Sequence, residues 1–382
     1  MHLEPNVLEL VQAFHDNGGT AIVVGGAVRD HLLGTRSSDI DIEVHNLEWD
    51  HVTSICKSLF IADLCGESFA VLKLHGADID VSIPRREVCT GESHQDFDVT
   101  ADPYMGFAEA ASRRDFTVNT IGFNPLTGEL VDPHGGVADL ETGVLRHVSH
   151  RFAEDALRVM RGAQFASRFG MTMAPETVQL CQTLDAASLP QERTSAEWMK
   201  LLNGASPSKG LEALATTGWL NQFPELDGIN LEATKLRLDA LAGGSNVQLW
   251  SGLLLDRGKD ARKAIRSLSG FEKISSNAQA IIDHLDQLAP GSELRRTATA
   301  LGGLRDVLAV ASSTGRDITT AAAQADIEDI LDQKPQPLIS GGDLISQGFV
   351  PGPELGILLR RLLDLQFEEP SLSKAELLAT IK

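Results

Sequence analysis

Apolar residues along the chain follow two periods, and the point where one gives way to the other divides the molecule. Val7, Leu8, Leu10, Val11 and Phe14 recur at helical spacing between Pro5 and Asn17, which predicts an amphipathic helix. Ala21 to Val24 is a β-branched run closed by Gly25-Gly26 and reads as a buried strand, with a helix from Ala27 to Leu33. Asp39 to Glu43 reads as a second strand and Leu47 to Phe60 as a helix. Phe69 to Leu74 and Ala77 to Ile83 form a predicted hairpin turning at His75-Gly76. Residues 85–105 carry no sustained period and predict a long loop, of the kind that serves compact domains as a lid. In the next segment Phe116, Val118, Ile121 and Phe123 are inward candidates, which leaves Arg114, Asp115 and Asn119 for a cleft. From Phe152 onward the period is helical: Phe152, Ala156, Val159, Ala163 and Ala166 share one stripe of a helix reaching Phe169. Helical segments continue through 201–226, 231–288 and 293–334, with breaks at Gly243-Gly244 and Pro290-Gly291. Ser340-Gly341-Gly342 and Pro351-Gly352-Pro353 open the last two helices. The pattern predicts an α+β head followed by an all-α remainder.

The chemistry gathers near the first strand. Gly25 and Gly26 let backbone N–H groups approach a phosphate, and the helix after them would turn its N-terminus toward that anion. Arg29 adds a positive charge. Asp39 and Asp41 lie two apart, so a strand points both carboxylates to one face, where a cation would hold them together. Oxygen-only ligation suits Mg²⁺ carrying a nucleotide phosphate. A glycine pair alone is an ordinary turn and an Asp-x-Asp alone a solvated strand face. Their occurrence in order, with Arg29 between them, is what points to a site.

Composition places the chain among ordinary globular proteins: 382 residues, 42% hydrophobic and 23% charged, enough for two or more domains. Cys56, Cys65, Cys89 and Cys181 lack C-x-x-C spacing, which predicts free thiols in a reducing compartment rather than disulfides or zinc. No stretch is long and apolar enough to span a membrane, and the first residues lack a basic signal region, so a cytoplasmic location is expected. A net charge of −20 argues against a generic nucleic-acid binder. Arg146, Arg151, Arg158, Arg161 and Arg168 nevertheless fall close together and predict a local positive track.

The ordered motifs resemble those of the class II tRNA nucleotidyltransferases, the CCA-adding enzymes, within the polymerase β-like nucleotidyltransferase superfamily. The resemblance rests on Gly25-Gly26-Ala27-Val28-Arg29-Asp30 with Asp39-Ile40-Asp41, on Arg113-Arg114-Asp115-Phe116-Thr117-Val118-Asn119, and on Gly136 to Leu140. It extends through Glu154-Asp155-Ala156-Leu157-Arg158-Val159-Met160-Arg161 and Glu192-Arg193. It implies a catalytic head over 1–140, a helical neck with a nucleotide-selecting helix over 141–205, a body over 206–290 and a tRNA-binding tail over 291–382. It implies addition of CCA to tRNA from CTP and ATP, with two Mg²⁺ ions on Asp39 and Asp41. Asp80 is the candidate third carboxylate, with Asp78 as competitor. The resemblance further implies that Arg114 contacts the nucleotide, that Asp115 suits the ribose hydroxyls, and that Asp155 and Arg158 face the base. Being three apart on a helix they would be surface neighbours, with Arg161 one turn on. The family commonly has a further arginine where this chain has Gln164, which removes one charge from the nucleotide's surroundings.

Three rivals remain at this level: an enzyme adding only CC or only A, a poly(A) polymerase, and a tRNA-binding protein with an inactive head. Against the second stands Gly66-Glu67-Ser68-Phe69, where such polymerases tend to be basic.

Overall fold

The computed structural model describes residues 1, 3–35, 39–64, 71–76, 78–89 and 97–381. Gly66 to Phe69 and the thiol of Cys65 therefore lie outside the described residues. The chain divides into two compact units, residues 1–189 with 212–222, and residues 190–211 with 223–382.

In the first unit, α1 (Pro5–Asp16) buries Val7, Leu10, Val11 and Phe14, the stripe its period predicts. Strand β1 (Thr20–Val24) follows, then α2 (Gly26–Leu32), β2 (Ile40–His45), α3 (Trp49–Leu59), β3 (Ala62–Leu64), β4 (Val71–Leu74) and β5 (Ile79–Ser82). Next come β6 (Arg85–Cys89), β7 (Phe97–Ala101), α4 (Phe107–Ala111), β8 (Gly122–Phe123), β9 (Leu130–Val131), α5 (Gly136–Thr142) and α6 (Leu157–Phe169). Seven strands form one mixed sheet in the order β3-β4-β5-β2-β1-β8-β9. β2 runs antiparallel to β1 and parallel to β5, which puts the Asp39–Glu43 stretch in the middle of the sheet. Phe116 is fully buried and meets Phe152 and Phe165 edge to face, at centroid separations of 5.4 and 5.8 Å.

Two expectations change. The segment 85–105 is not a structureless loop: β6 and β7 pair antiparallel from Arg85–Ala101 to Cys89–Phe97. β6 opens on Arg85-Arg86-Glu87 and has no period of two, while β7 does alternate, Phe97, Val99 and Ala101 against Asp98 and Thr100, but over only five residues. The helix predicted over 152–169 is broken at its start. A 3₁₀ segment covers His150–Glu154, Asp155 is extended at φ −135°, and α6 begins at Leu157. The Asp155 carboxylate accepts the Leu157 N–H at 3.1 Å, so it satisfies a helix-terminal donor instead of riding on the helix surface. Asp155 and Arg158 are thus not neighbours on a common helix face.

The second unit is helical. Gln191–Leu202, Leu231–Ala240, Asn246–Leu254, Ala261–Ser269 and Glu272–His284 surround the buried Trp198 and Trp250, whose rings lie 6.4 Å apart. Besides the Gly243-Gly244 break, the chain turns at Gly258 (φ 52°) and Gly270 (φ 74°). The end of the chain holds three helices, not two: Gly341–Ser346, Pro353–Glu368 and Lys374–Ala379. They share a small core of Ile339, Leu344, Leu362 and Leu377.

Candidate active site

The central strands carry a row of charge. In the register of the sheet, Asp41 on β2 stands opposite Asp80 on β5, and Asp80 stands opposite Lys73 on β4. Directly paired residues share a sheet face, so these three side chains project together. Asp39 lies just before β2. Asp78 sits in the turn ahead of β5 with a left-handed φ of 46°, out of the paired register. Burial pushes the Asp41 carboxyl above its ordinary range, and the negative charges of Asp80 and Asp39 push it the same way, against the pull of Arg114. Acids that repel one another on one face are the chemistry a divalent cation relieves. Among the described residues no three His, Cys, Asp or Glu side chains converge closely enough to cage an ion by themselves. Two carboxylates completed by phosphate oxygens and water are the arrangement Mg²⁺ commonly takes.

The glycine turn borders this row. Gly25 ends β1 at φ 71°, ψ −135°, a backbone region closed to other residues. A Cβ there would stand 3.6 Å from Asp41 Oδ2 and 3.8 Å from Arg114 Nη1, so turn, carboxylate and guanidinium adjoin. Gly26 opens α2. Arg114 Nη1 donates to the Asn119 carbonyl at 2.8 Å, and its Nη2 lies 3.6 Å from Glu43 Oε2.

Behind them runs a buried polar network. Arg29, expected to offer its charge outward, is buried: it donates to Asp30 Oδ1 at 2.6 and 2.8 Å and to Asn119 Oδ1 at 2.6 Å. Its guanidinium stacks over Phe169 at 4.5 Å and Phe165 at 5.2 Å. Asn119 in turn donates to Asp115 Oδ1 at 2.8 Å, and Arg161 donates to Asp115 Oδ2 at 2.8 Å. Asp115 is buried rather than open to the cleft. Burial alone would raise its pKa; Arg161, Asn119 and the Phe116 N–H outweigh that and hold it below the usual carboxylate range.

Arg158 donates to the carbonyls of Arg151 and Arg113, both at 2.8 Å, which fixes the plane of its guanidinium. Gln164 is buried on α6. The expected positive track consists of partnered arginines: Arg146 with Asp139 and Glu176, Arg151 with Glu154, Arg161 with Asp115, and Arg168 with Asp30. Four polar residues escaped the sequence reading: Asp30, Glu43, His45 and Lys73. Alternation could have found Glu43 and His45, which continue the Asp39–Asp41 spacing along β2.

Residues 21–146 match the family described as the poly A polymerase head domain, and residues 170–229 that described as the probable RNA and SrmB-binding site of polymerase A. The multifunctional CCA protein of Xanthomonas campestris pv. campestris is 37% identical over 215 residues, and that of Xylella fastidiosa 38% over 215. Over about half its length the chain is thus similar to proteins that bear the CCA name, and residues 21–146 carry the poly A polymerase head domain. These stretches are 54% of the chain but 51% and 50% of the relatives, so the chain spans about half the length of the curated relatives it matches. In fold the likeness to CCA-adding enzymes runs the whole way. A Bacillus stearothermophilus CCA-adding enzyme crystallised with CTP covers 99% of the chain, with 98% of its own length covered, at TM-score 0.75 and 24% identity. A Thermotoga maritima CCA-adding enzyme complexed with tRNA covers 100%, with 97% of its own length, at TM-score 0.72 and 19% identity.

Proposed function

We propose that this chain adds CCA to the 3′ end of tRNA, using CTP and ATP without a nucleic-acid template and releasing pyrophosphate. The observation that carries the reading is the row of Asp41 and Asp80, with Asp39 beside it, against a glycine turn and Arg114. The relatives named multifunctional CCA protein support the choice of substrate. In the reaction, the tRNA 3′ oxygen attacks the α-phosphorus, a P–O bond forms, and the bond to the β-phosphate oxygen breaks. Pyrophosphate leaves with that electron pair. Mg²⁺ held by Asp39 and Asp41 would supply charge neutralisation at the transferring phosphoryl group. Asp80 takes or orients the hydroxyl proton. Gly25 and Gly26 leave room for the triphosphate, Arg114 pairs with it, and Arg29, Asp115, Asn119 and Arg161 hold that wall of the site in place. Asp155 and Arg158 select the base, Arg158 from a plane fixed by two carbonyls.

The four-part division into head, neck, body and tail at 140, 205 and 290, with the tail gripping tRNA, belongs to the same reading. So does a cytoplasmic location, supported by the absence, among the described residues, of a helix long and apolar enough to cross a membrane.

Incubation with tRNA lacking its CCA end and each labelled nucleotide in turn tests the reading. Two C and one A added in order is expected. A alone or CC alone would assign a split activity. A long A tract on unrelated RNAs would assign a poly(A) polymerase, the rival kept alive by the description of the head family. Binding of tRNA with no incorporation would refute catalysis.

A further inference from the structure

Strand β2 carries two more polar residues than the proposed chemistry uses. Glu43 follows Asp41 by two positions and therefore lies on the same sheet face, yet its side chain is only 1% exposed. A buried carboxylate without a purpose would be a liability. Its contacts supply one: Oε2 lies 3.6 Å from Arg114 Nη2, and Oε1 lies 3.1 Å from His45 Nε2. His45, the next residue on that face, is itself held. Its Nδ1 donates to the Met105 carbonyl at 3.0 Å, and its ring stands edge-on to Phe107 at 6.1 Å. A continuous line thus runs from the Met105 backbone through His45 and Glu43 to Arg114, whose other end is tied to the Asn119 carbonyl.

We propose that Glu43, held by His45, is a positioning residue that fixes the Arg114 guanidinium beside the Gly25 turn for a nucleotide triphosphate. The inference rests on the proposed function. Arginine has many rotamers and gains affinity for phosphate only when its fork is already aimed. A carbonyl acceptor on Nη1 and a carboxylate in ion-pair range of Nη2 restrict that freedom. Glu43 touches neither substrate nor metal in this arrangement and acts only through Arg114.

The test is a double-mutant cycle on equilibrium binding of CTP in Mg²⁺, with Glu43→Gln, Arg114→Ala and the pair, plus steady-state kinetics on tRNA for Glu43→Gln. Glu43→Gln keeps the shape of the side chain and removes its charge. Expected are a weakening of CTP binding by about tenfold for Glu43→Gln, a larger loss for Arg114→Ala, and no further loss in the double variant. KM for CTP should rise by about tenfold while kcat stays within about twofold. His45→Phe, which keeps the ring packing on Phe107, should give a smaller rise in KM of the same kind. Equal binding by Glu43→Gln and wild type, or losses that multiply in the double variant, would overturn the positioning role. A raised Mg²⁺ requirement with unchanged KM would also overturn it by making Glu43 a metal ligand. A wild-type chain that binds neither CTP nor ATP would overturn the proposed function and this inference together, whereas the other outcomes leave that function standing.

Discussion

Asp115 is the residue whose loss should cost the first unit most among its polar groups. Its carboxylate accepts from the Phe116 N–H at 2.8 Å, from Asn119 Nδ2 at 2.8 Å, and from Arg161 through Nε at 2.8 Å and Nη2 at 2.7 Å. Asp115→Ala strands two buried neutral donors, at about 1 kcal/mol each. It also removes the partner of Arg161, whose side chain is 35% exposed, so solvent screening reduces that share to about 1 kcal/mol. The sum is about 3 kcal/mol, or about two orders of magnitude in a local opening constant. Hydrogen exchange of peptides covering Thr117–Asn119 and α6 reads that quantity directly, without assuming that the two units unfold together. The sign of the pH dependence follows from the depressed pKa of Asp115. Its stabilising share is present above the unfolded value of about 3.9 and is lost as pH falls through the lower folded value. The protection gap between wild type and Asp115→Asn should therefore close in acid below about pH 4. Acceleration of less than about fivefold for Asp115→Ala at neutral pH would refute the reasoning, because the network would then be carrying almost no free energy.

Asp39→Ala and Asp41→Ala should each lower labelled-nucleotide incorporation by about three orders of magnitude while circular dichroism stays native; an active variant would refute the metal assignment. Gly25→Ala strains a backbone at φ 71° and sets a methyl in contact with Asp41 and Arg114 where a phosphate would approach, so incorporation should fall well beyond any loss in thermal stability. Phe116→Ala opens a cavity between Phe152 and Phe165 and should cost about 3 to 5 kcal/mol in denaturant unfolding of the first unit; a loss under about 1 kcal/mol would mean that the cluster collapses to fill it.

Where one physical rule acted alone, the sequence was a good guide. The stripe of α1, the β-branched run of β1 and the inward set Phe116, Val118, Ile121 and Phe123 all follow from burial alone, and all are buried. Asp39 and Asp41 could be placed on one face because a strand has period two. The start of α6 was misread because the apolar stripe of Phe152 and Ala156 passes straight through Asp155, whose side chain competes with the helix for a backbone donor. The β6–β7 pairing was missed because β6 is charged and does not alternate, although the short alternation of Phe97 to Ala101 was there to be read. Partnership across long separations left no trace at all: Arg29 meets Asn119 across ninety positions, and Arg161 meets Asp115 across forty-six. A guanidinium read from sequence is simply a positive charge. Its neighbours decide whether that charge faces a ligand.

Those partnerships bear on why a cation belongs in the proposed reaction before any bond is made. The chain carries a net charge of −20, and several arginines of the nucleotide-facing segments already have acid partners: Arg161 has Asp115, and Arg29 and Arg168 share the single carboxylate of Asp30. Arg114 shares its charge with buried Glu43. A triphosphate approaching Gly25 would therefore meet the repelling row of Asp39, Asp41 and Asp80 with part of the nearby positive charge already engaged. At contact distances such repulsion amounts to a few kcal/mol even in a well-screened site. Arg161 is not free to add to what Arg114 offers, because turning it toward substrate would take the charged partner from buried Asp115. A divalent ion held by Asp39 and Asp41 would supply charge neutralisation there and leave the network in place. Under the proposed function a divalent ion would therefore assist nucleotide binding as well as transfer, and equilibrium binding of CTP should weaken when Mg²⁺ is withheld; equal binding with and without Mg²⁺ would refute this.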